Sequence, residues 1–339
     1  MKEIAVEKAA GTVLAHDLTQ IIPGEYKGPR FKKGHVITEE DIPVLLSMGK
    51  KHLYVLEKDD TDVHENDAAF RIASKAAGHG IRLTEPSEGK IELLTNIDGL
   101  LKIDRERLYR LVSQDEIMFA SIHDNIVVRK DEKLAGTRII PLFVAEDVMK
   151  KAENELAAGP IIEIIPLKEM RVGVVTTGSE VYSGLIEDAF GPVLVKKFSA
   201  LGSKVEKQLF ADDDDEMIAD CIRQLVAEGM DIIGITGGMS VDPDDRTPSG
   251  IRKAGGHVVS YGAPVLPGAM FMLSYIGDVP VVGLPGCVMY SRTSIFDLII
   301  PRLLAGERIT KADINKLAVG GLCLNCKECT YPVCGFGKA

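Results

Sequence analysis

The sequence predicts an α/β protein whose second half is built on a mostly parallel sheet. From Ile161 onward, short apolar runs alternate with stretches of helical periodicity, the pattern of strands joined by right-handed crossover helices. Three of the runs, ending at Thr176, Ile235 and Leu284, each lead directly into a glycine-containing turn. In an open α/β sheet, ligands bind at the carboxyl ends of the strands, so these turns are expected to share one functional edge.

The elements divide the chain into four segments. Residues 1–57 read as a mixed α+β segment, with a turn at Pro23-Gly24 and a helix opened by Thr38 as N-cap and Glu39, Glu40 and Asp41 in its first turn. Ile42, Leu45 and Leu46 give that helix an apolar face, Gly49 stops it, and His52–Leu56 follows as a strand. Residues 58–160 read as a second α+β region. It holds a helix over Asn66–Ala77 with Phe70, Ile72, Ala73 and Ala76 partly inward. A short helix with Leu108, Leu111 and Val112, a strand at Asn125–Val128 and a helix over Val144–Leu156 come next. Ala157-Ala158-Gly159-Pro160 ends the region as a linker, since proline after a helix marks a boundary. Residues 161–310 are the α/β domain, with one helix carrying Val193, Leu194, Lys197, Phe198 and Leu201. A second carries Met217, Ile218, Cys221, Ile222, Leu225 and Val226. Residues 311–339 form a cysteine-rich tail.

Composition narrows the function. The 339 residues are 45% apolar, ordinary for a globular protein, and carry a net charge of −10 without a basic stripe, which argues against nucleic acid as a partner. The first residues lack an apolar signal core, and the longest apolar stretch, Val265–Tyr290, is broken by Asp278, glycines and prolines, so neither secretion nor a membrane span is expected. The expected location is cytoplasmic. No Gly-x-Gly-x-x-Gly follows a strand and no Gly-Lys-Ser/Thr loop occurs, which removes the common nucleotide-binding motifs.

The most informative segment is Thr236–Pro248, directly after the run Asp231–Ile235. Gly237 and Gly238 let the backbone turn sharply and bring N–H groups to an anion, and Ser240 adds a hydroxyl donor. Asp245 either holds Mg²⁺ against a phosphate or caps a helix beginning at Thr247-Pro248. Asp188 is either a second carboxylate of the same cleft or a cap before Gly191-Pro192, and Glu180 either binds metal or sits in a first helical turn. Asp212–Asp215 reads as a solvated run at a helix N-terminus, and Arg246, Arg252 and Lys253 are the nearest cations.

Gly-Gly-x-Ser with Asp five residues on, then Thr-Pro, resembles the signature of the molybdopterin-binding enzymes of molybdenum cofactor biosynthesis. Thr177-Gly178-Ser179-Glu180, Ile186-Glu187-Asp188, the Asp212–Asp215 run and Gly283-Leu284-Pro285-Gly286 match further elements of that family in order, over about residues 171–306. The segment around Gly11–Ala15 resembles the molybdenumtransferases faintly. The resemblance implies a three-layer sheet domain of the molybdopterin-binding type. It also implies a substrate site at Thr177, Gly178, Ser179, Glu180, Gly237, Gly238, Ser240, Pro285 and Gly286, with Asp245 and Asp188 catalytic and Mg²⁺ on Asp245. The implied reaction inserts molybdate into adenylated molybdopterin and releases AMP. The alternatives are a non-catalytic molybdopterin carrier or sensor and a molybdopterin adenylyltransferase. A homo-oligomer or a recipient molybdoenzyme is the implied protein partner. The chain departs from the family where Leu266-Pro267-Gly268-Ala269-Met270 replaces Lys-Pro-Gly-Lys-Pro, where Cys287-Val288 replaces Asn-Pro, and at Phe190 in place of Asn.

Four of the six cysteines lie in the tail, as Cys323-x-x-Cys326-x-x-Cys329-x-x-x-x-Cys334. Thiols in a reducing compartment do not stay paired, so this spacing points to metal, either an iron–sulfur cluster or Zn²⁺. The bland alternative is a reduced, flexible tail flanked by glycines. Cys221 reads as a core residue.

Overall fold

A computed structural model describes residues 2–22, 25–56, 62–240, 242–243 and 245–338. The expected Pro23-Gly24 turn lies outside the described residues. The chain separates into two compact units, one of Met1–Thr95, Asp104–Ile122 and Glu132–Glu163, the other of Asn96–Ile103, His123–Asp131 and Ile164–Ala339.

The first unit is built from small antiparallel sheets. Lys2–Ala5 pairs with His52–Val55, and Leu18–Ile22 with Tyr26–Phe31, around Val6, Leu14, Ile37, Leu45 and Leu53. The helix expected from Thr38 begins at Asp41 instead, because the Asp41 carboxylate turns back to accept from the N–H and the hydroxyl of Thr38, both at 2.9 Å. A four-stranded antiparallel sheet of Ile81–Leu83, Ile91–Thr95, Lys133–Ile139 and Ile117–Ser121 packs against the helix Glu65–Ala76. That helix buries Ala68, Ala69, Ile72, Ala73 and Ala76, an i, i+4 stripe, and Phe70 lies off the stripe at 53% exposure rather than inward. Arg71 ties it to the helix Glu146–Leu156 through a two-pronged bond to Glu146 at 2.8 and 2.9 Å and a bond to Glu153 at 2.9 Å. The segment Ala157–Pro160, expected as a linker, is anchored: the Arg107 guanidinium donates to the carbonyls of Glu155, Gly159 and Pro160.

The second unit carries the α/β sheet. Its elements are β1 (Arg171–Thr177), α1 (Phe190–Ala200), β2 (Lys204–Ala211), α2 (Asp215–Ala227) and β3 (Ile232–Thr236). They continue with α3 (Thr247–Lys253), β4 (His257–Tyr261), β5 (Met272–Ile276), β6 (Val279–Leu284), α4 (Ile295–Leu304) and α5 (Lys311–Lys316). The six strands run in the order β2-β1-β3-β6-β5-β4. The β2-β1, β1-β3 and β3-β6 junctions are parallel, and the last two are antiparallel. The antiparallel edge comes from the Gly277-Asp278 turn, which folds the long apolar stretch into a hairpin pairing Ile276 with Val279. Among the described residues no helix is long and apolar enough to cross a membrane.

Alternation along the strands makes the sheet three-layered. Val172, Val174, Ile232, Val282 and Leu284 face one side, with Leu194 and Phe198 of α1 and Phe296 and Ile299 of α4. Val175, Ile233, Ile235 and Val281 face the other, with Ile218, Ile222 and Leu225 of α2 and Ile251 of α3. Phe198 and Phe296 meet edge-on, 5.1 Å between centroids, and burying each contributes about 1.5–3 kcal/mol.

The tail completes this core. Leu266 N–H donates to the Gly321 carbonyl and Cys323 N–H to the Leu266 carbonyl, each at 2.8 Å, and Phe336, 4% exposed, joins the same apolar cluster as Phe198. The strands and helices up to Gly306 therefore do not close the core alone, and the flexible-tail alternative does not hold for the described residues.

Candidate functional site

The register places three turns side by side. Thr176 pairs with Thr236 and Thr236 with Leu284, so Gly178–Glu180, Gly237–Ser240 and Pro285–Cys287 all leave the sheet at one edge. Buried Thr177 links them: its Oγ1 donates to the Thr236 carbonyl at 3.1 Å and lies 3.1 Å from Thr247 Oγ1. Thr247 donates its hydroxyl to the Gly237 carbonyl at 2.8 Å and its N–H to the Gly238 carbonyl at 3.2 Å.

The glycine turn follows from this packing. Gly237 and Gly238 have φ of +87° and +53°, a region that side chains disfavour. A Cβ on Gly237 would stand 2.2 Å from the Thr177 carbonyl oxygen, and one on Gly238 would stand 3.0 Å from Thr247 Oγ1. Met239 drives its side chain into the core at 4% exposure, which fixes the turn from beneath. The turn's carbonyls are engaged, whereas the N–H groups of Gly238, Met239 and Ser240 meet no acceptor among the described residues. Successive free N–H groups in such a turn form an anion-binding concavity. Val241 and Asp244 of the same motif lie outside the described residues.

Asp245 does not cap α3. The residue at the helix N-cap is Arg246 and no side chain caps it, while the Asp245 carboxylate accepts the Asp242 N–H at 2.8 Å and is half-exposed. Tyr261 of β4 donates its hydroxyl to the Ser240 carbonyl at 3.1 Å, and burial, then the Asp245 charge, raises its pKa, with Arg252 acting oppositely. The Asp188 carboxylate accepts the N–H of Phe190 at 2.8 Å and of Gly191 at 3.1 Å, and the Gln208 amide, which also bonds Thr176 Oγ1 at 2.8 Å. It thus fastens the start of α1 to the end of β1.

The acidic run divides. Asp214 caps α2 by accepting from Glu216 and Met217, as expected at a helix start. Asp212 and Asp213 are not simply solvated: Ser179 donates its hydroxyl to both, at 2.5 and 3.0 Å, and its N–H to Asp213 at 2.9 Å. The Ser179 hydroxyl, with the Asp213 N–H, holds the Asp212 carboxyl below its ordinary pKa. Glu180, Ser240 and Gly286 are exposed, and Pro285 is buried beneath the third turn. Lys253 pairs with Asp215 and Glu216 at 3.3 and 3.5 Å, Arg252 stands over the Tyr261 ring at 5.9 Å, and Arg246 is an exposed cation beside the motif. Thr247, Gln208 and Tyr261 escape sequence reasoning. The Thr-Pro pair signals a helix start but not its bond to Thr177, and nothing in the β4 sequence marks Tyr261.

In the tail, Cys323, Cys326, Cys329 and Cys334 all line one cavity of about 490 Å³, although no three His, Cys, Asp or Glu side chains among the described residues are gathered to hold a single ion. Cys221 is half-buried on α2, and burial raises its pKa.

A family described as a probable molybdopterin binding domain matches residues 173–305, and one described as a domain of unknown function (DUF8806) matches residues 3–57. A CinA-like protein of Citrifermentans bemidjiense is 34% identical over 87 residues, 26% of this chain and 21% of its own length. One of Syntrophus aciditrophicus is 29% identical over 87 residues, 26% of this chain and 20% of its own. The chain thus spans about a fifth of the length of these relatives. Among solved structures, the molybdopterin biosynthesis enzyme MoaB of Thermus thermophilus is 22% identical, with 41% of this chain and 98% of that chain covered and a TM-score of 0.34. The match to the probable molybdopterin binding domain falls on the part of the chain that carries the six-stranded sheet.

Proposed function

We propose that the sheet-edge cleft binds adenylated molybdopterin and that the protein inserts molybdate into it with release of AMP. The observation that carries this reading is the turn after β3, which offers the unengaged N–H groups of Gly238, Met239 and Ser240 beside the other two turns. A pyrophosphate fits such a donor set, and Arg246 supplies a local cation to a chain of net charge −10. The N–H groups and the Ser240 hydroxyl hold the phosphate and meet negative charge as it grows on the leaving group. Thr247 keeps those donors aimed, because both carbonyls of the glycine pair accept from it, and Thr177 stands 3.1 Å from its hydroxyl. Asp188 and Gln208 fix the segment between β1 and α1 that borders the same edge.

Mg²⁺ needs one or two carboxylates plus substrate phosphates, and the half-exposed Asp245 beside the turn fits that requirement. Asp245 would hold it, and the ion would supply charge neutralisation at the pyrophosphate. Molybdate is the second substrate, and a molybdoenzyme that receives the finished cofactor is the protein partner this reading calls for.

One observation favours the second reading, a molybdopterin carrier. The segment Leu266-Pro267-Gly268-Ala269 has no cation for an oxyanion, and the tail backbone occupies its first residue on both sides. The deciding experiment is a single-turnover assay with adenylated molybdopterin, molybdate and Mg²⁺, run beside a second reaction with ATP and molybdopterin. AMP release dependent on molybdate supports transfer. Tight pterin binding without AMP release assigns the carrier role, and pyrophosphate formed from ATP and molybdopterin assigns adenylyl transfer.

A further inference from the structure

The tail that closes the core also walls a cavity, and all four of its cysteines line it. Cys323 and Cys334 are half-buried and pack against the core cluster, while Cys326 and Cys329 sit on the exposed arc between them. Asn325 takes a φ of +50°, a left-handed conformation that Asn tolerates, and so turns the chain between the first two cysteines. We propose that this cavity is the seat of a [4Fe–4S] cluster bound by Cys323, Cys326, Cys329 and Cys334, a site independent of the pterin reading.

The space is about 490 Å³, room enough for a cluster of four irons and four sulfides. A tetrahedral zinc site with Zn–S bonds of about 2.3 Å requires sulfurs about 3.8 Å apart. No three of the relevant side chains among the described residues are gathered in that way. All four cysteines line the cavity without three of them gathered at one point, and a cubane, which presents one iron to each thiolate at separate corners, calls for that wider spacing.

Charge points the same way. The cavity lining includes Arg292 and Lys327 and no carboxylate. Four thiolates around a cluster carry net negative charge, which these cations offset in a chain that is otherwise acidic. Arg292 also donates to the Lys327 carbonyl at 3.0 Å, which pins the exposed cysteine arc to the segment after β6. Thr293 Oγ1 lies 3.9 Å from Cys323 Sγ, the kind of hydroxyl–sulfur contact that tunes a cluster's potential.

The test uses the full chain, purified without oxygen and reconstituted with equal parts of ferrous and ferric iron and with sulfide. The expected result is about four iron and about four labile sulfide per chain, with broad visible absorption that bleaches on reduction with dithionite. The Cys326→Ser, Cys329→Ser double variant should lose both while keeping the circular dichroism spectrum and melting temperature of the apo parent, since both side chains are exposed. Cys221→Ser, on the far side of the sheet, should keep the cluster. Near-stoichiometric zinc without iron, about two iron per chain, uptake of neither metal, or a cluster that survives the double substitution would each overturn the assignment.

Discussion

Gly237→Ala probes the geometry on which the cleft depends. The residue has φ of +87°, and placing an L side chain there costs about 1–2 kcal/mol. Its new Cβ would also stand 2.2 Å from the Thr177 carbonyl oxygen and 2.6 Å from Thr177 Oγ1. The carbonyl is backbone at the end of a buried strand and cannot rotate away, so overpacking adds about 1–3 kcal/mol. The sum is about 2–5 kcal/mol of lost stability. Gly238→Ala is the internal control: its φ is +53° and its nearest contact is a hydroxyl at 3.0 Å, so the conformational cost of about 1–2 kcal/mol dominates. Urea unfolding of both variants, followed by circular dichroism and by intrinsic fluorescence, measures the difference. Gly237→Ala should be the less stable by at least about 1 kcal/mol. Equal losses, or a Gly237→Ala loss under about 1 kcal/mol, would refute the claim that the turn is packed directly on Thr177.

Three further outcomes follow from the same structure. Burial, aided by Lys33, lowers the His64 pKa from 6.5 to about 4, so the unfolded chain takes up a proton between those values that the folded chain refuses. Stability is therefore full above pH 6.5 and falls as pH drops towards about 4, by roughly 3 kcal/mol. His64→Asn, which retains an acceptor for the Asn66 N–H, should flatten that fall in urea titrations at pH 7 and pH 5, and equal slopes would exclude the imidazole as its source. Phe336→Ala, at a side chain 4% exposed within the core cluster, should cost about 3–5 kcal/mol in chemical denaturation; no loss would make the tail an appendage. Asp245→Asn keeps an acceptor for the Asp242 N–H, so pterin affinity should stay within about 1–2 kcal/mol while Mg²⁺-dependent AMP release falls by tenfold or more, and unchanged turnover would remove Asp245 from the chemistry.

The parts of the site that sequence reveals are those whose signal is local. An apolar run leading into a glycine-containing turn announces the strand end, so the edge of β1, β3 and β6 is visible before any packing is known, and the glycine pair after β3 also announces its positive φ. Asp212 and Asp213 show the opposite case. Acids before a helix look alike whether they face water or reach across to Ser179, and only the parallel β1-β2 pairing brings Ser179 within their range. Tyr261 reaches the glycine turn from the antiparallel edge, whose hairpin at Gly277-Asp278 is hidden within one long apolar stretch. Phe336 sits among glycines and cysteines without periodicity, so its place in the core cannot be read from pattern. Phe70 shows that a helix is legible before the angle of its buried stripe is.

The central claim is that the turn after β3 binds the anionic end of a molybdopterin. Anaerobic titration of the full chain with molybdopterin, in parent and Gly238→Val, tests it most directly. Valine at φ +53° adds branched bulk against Thr247 and should turn the free N–H groups away from the cleft, and circular dichroism of the variant checks that it is folded. The account predicts saturable binding of one pterin per chain in the parent and loss of that binding in the folded variant. Equal affinity in the two proteins, or no binding by the parent, would contradict it.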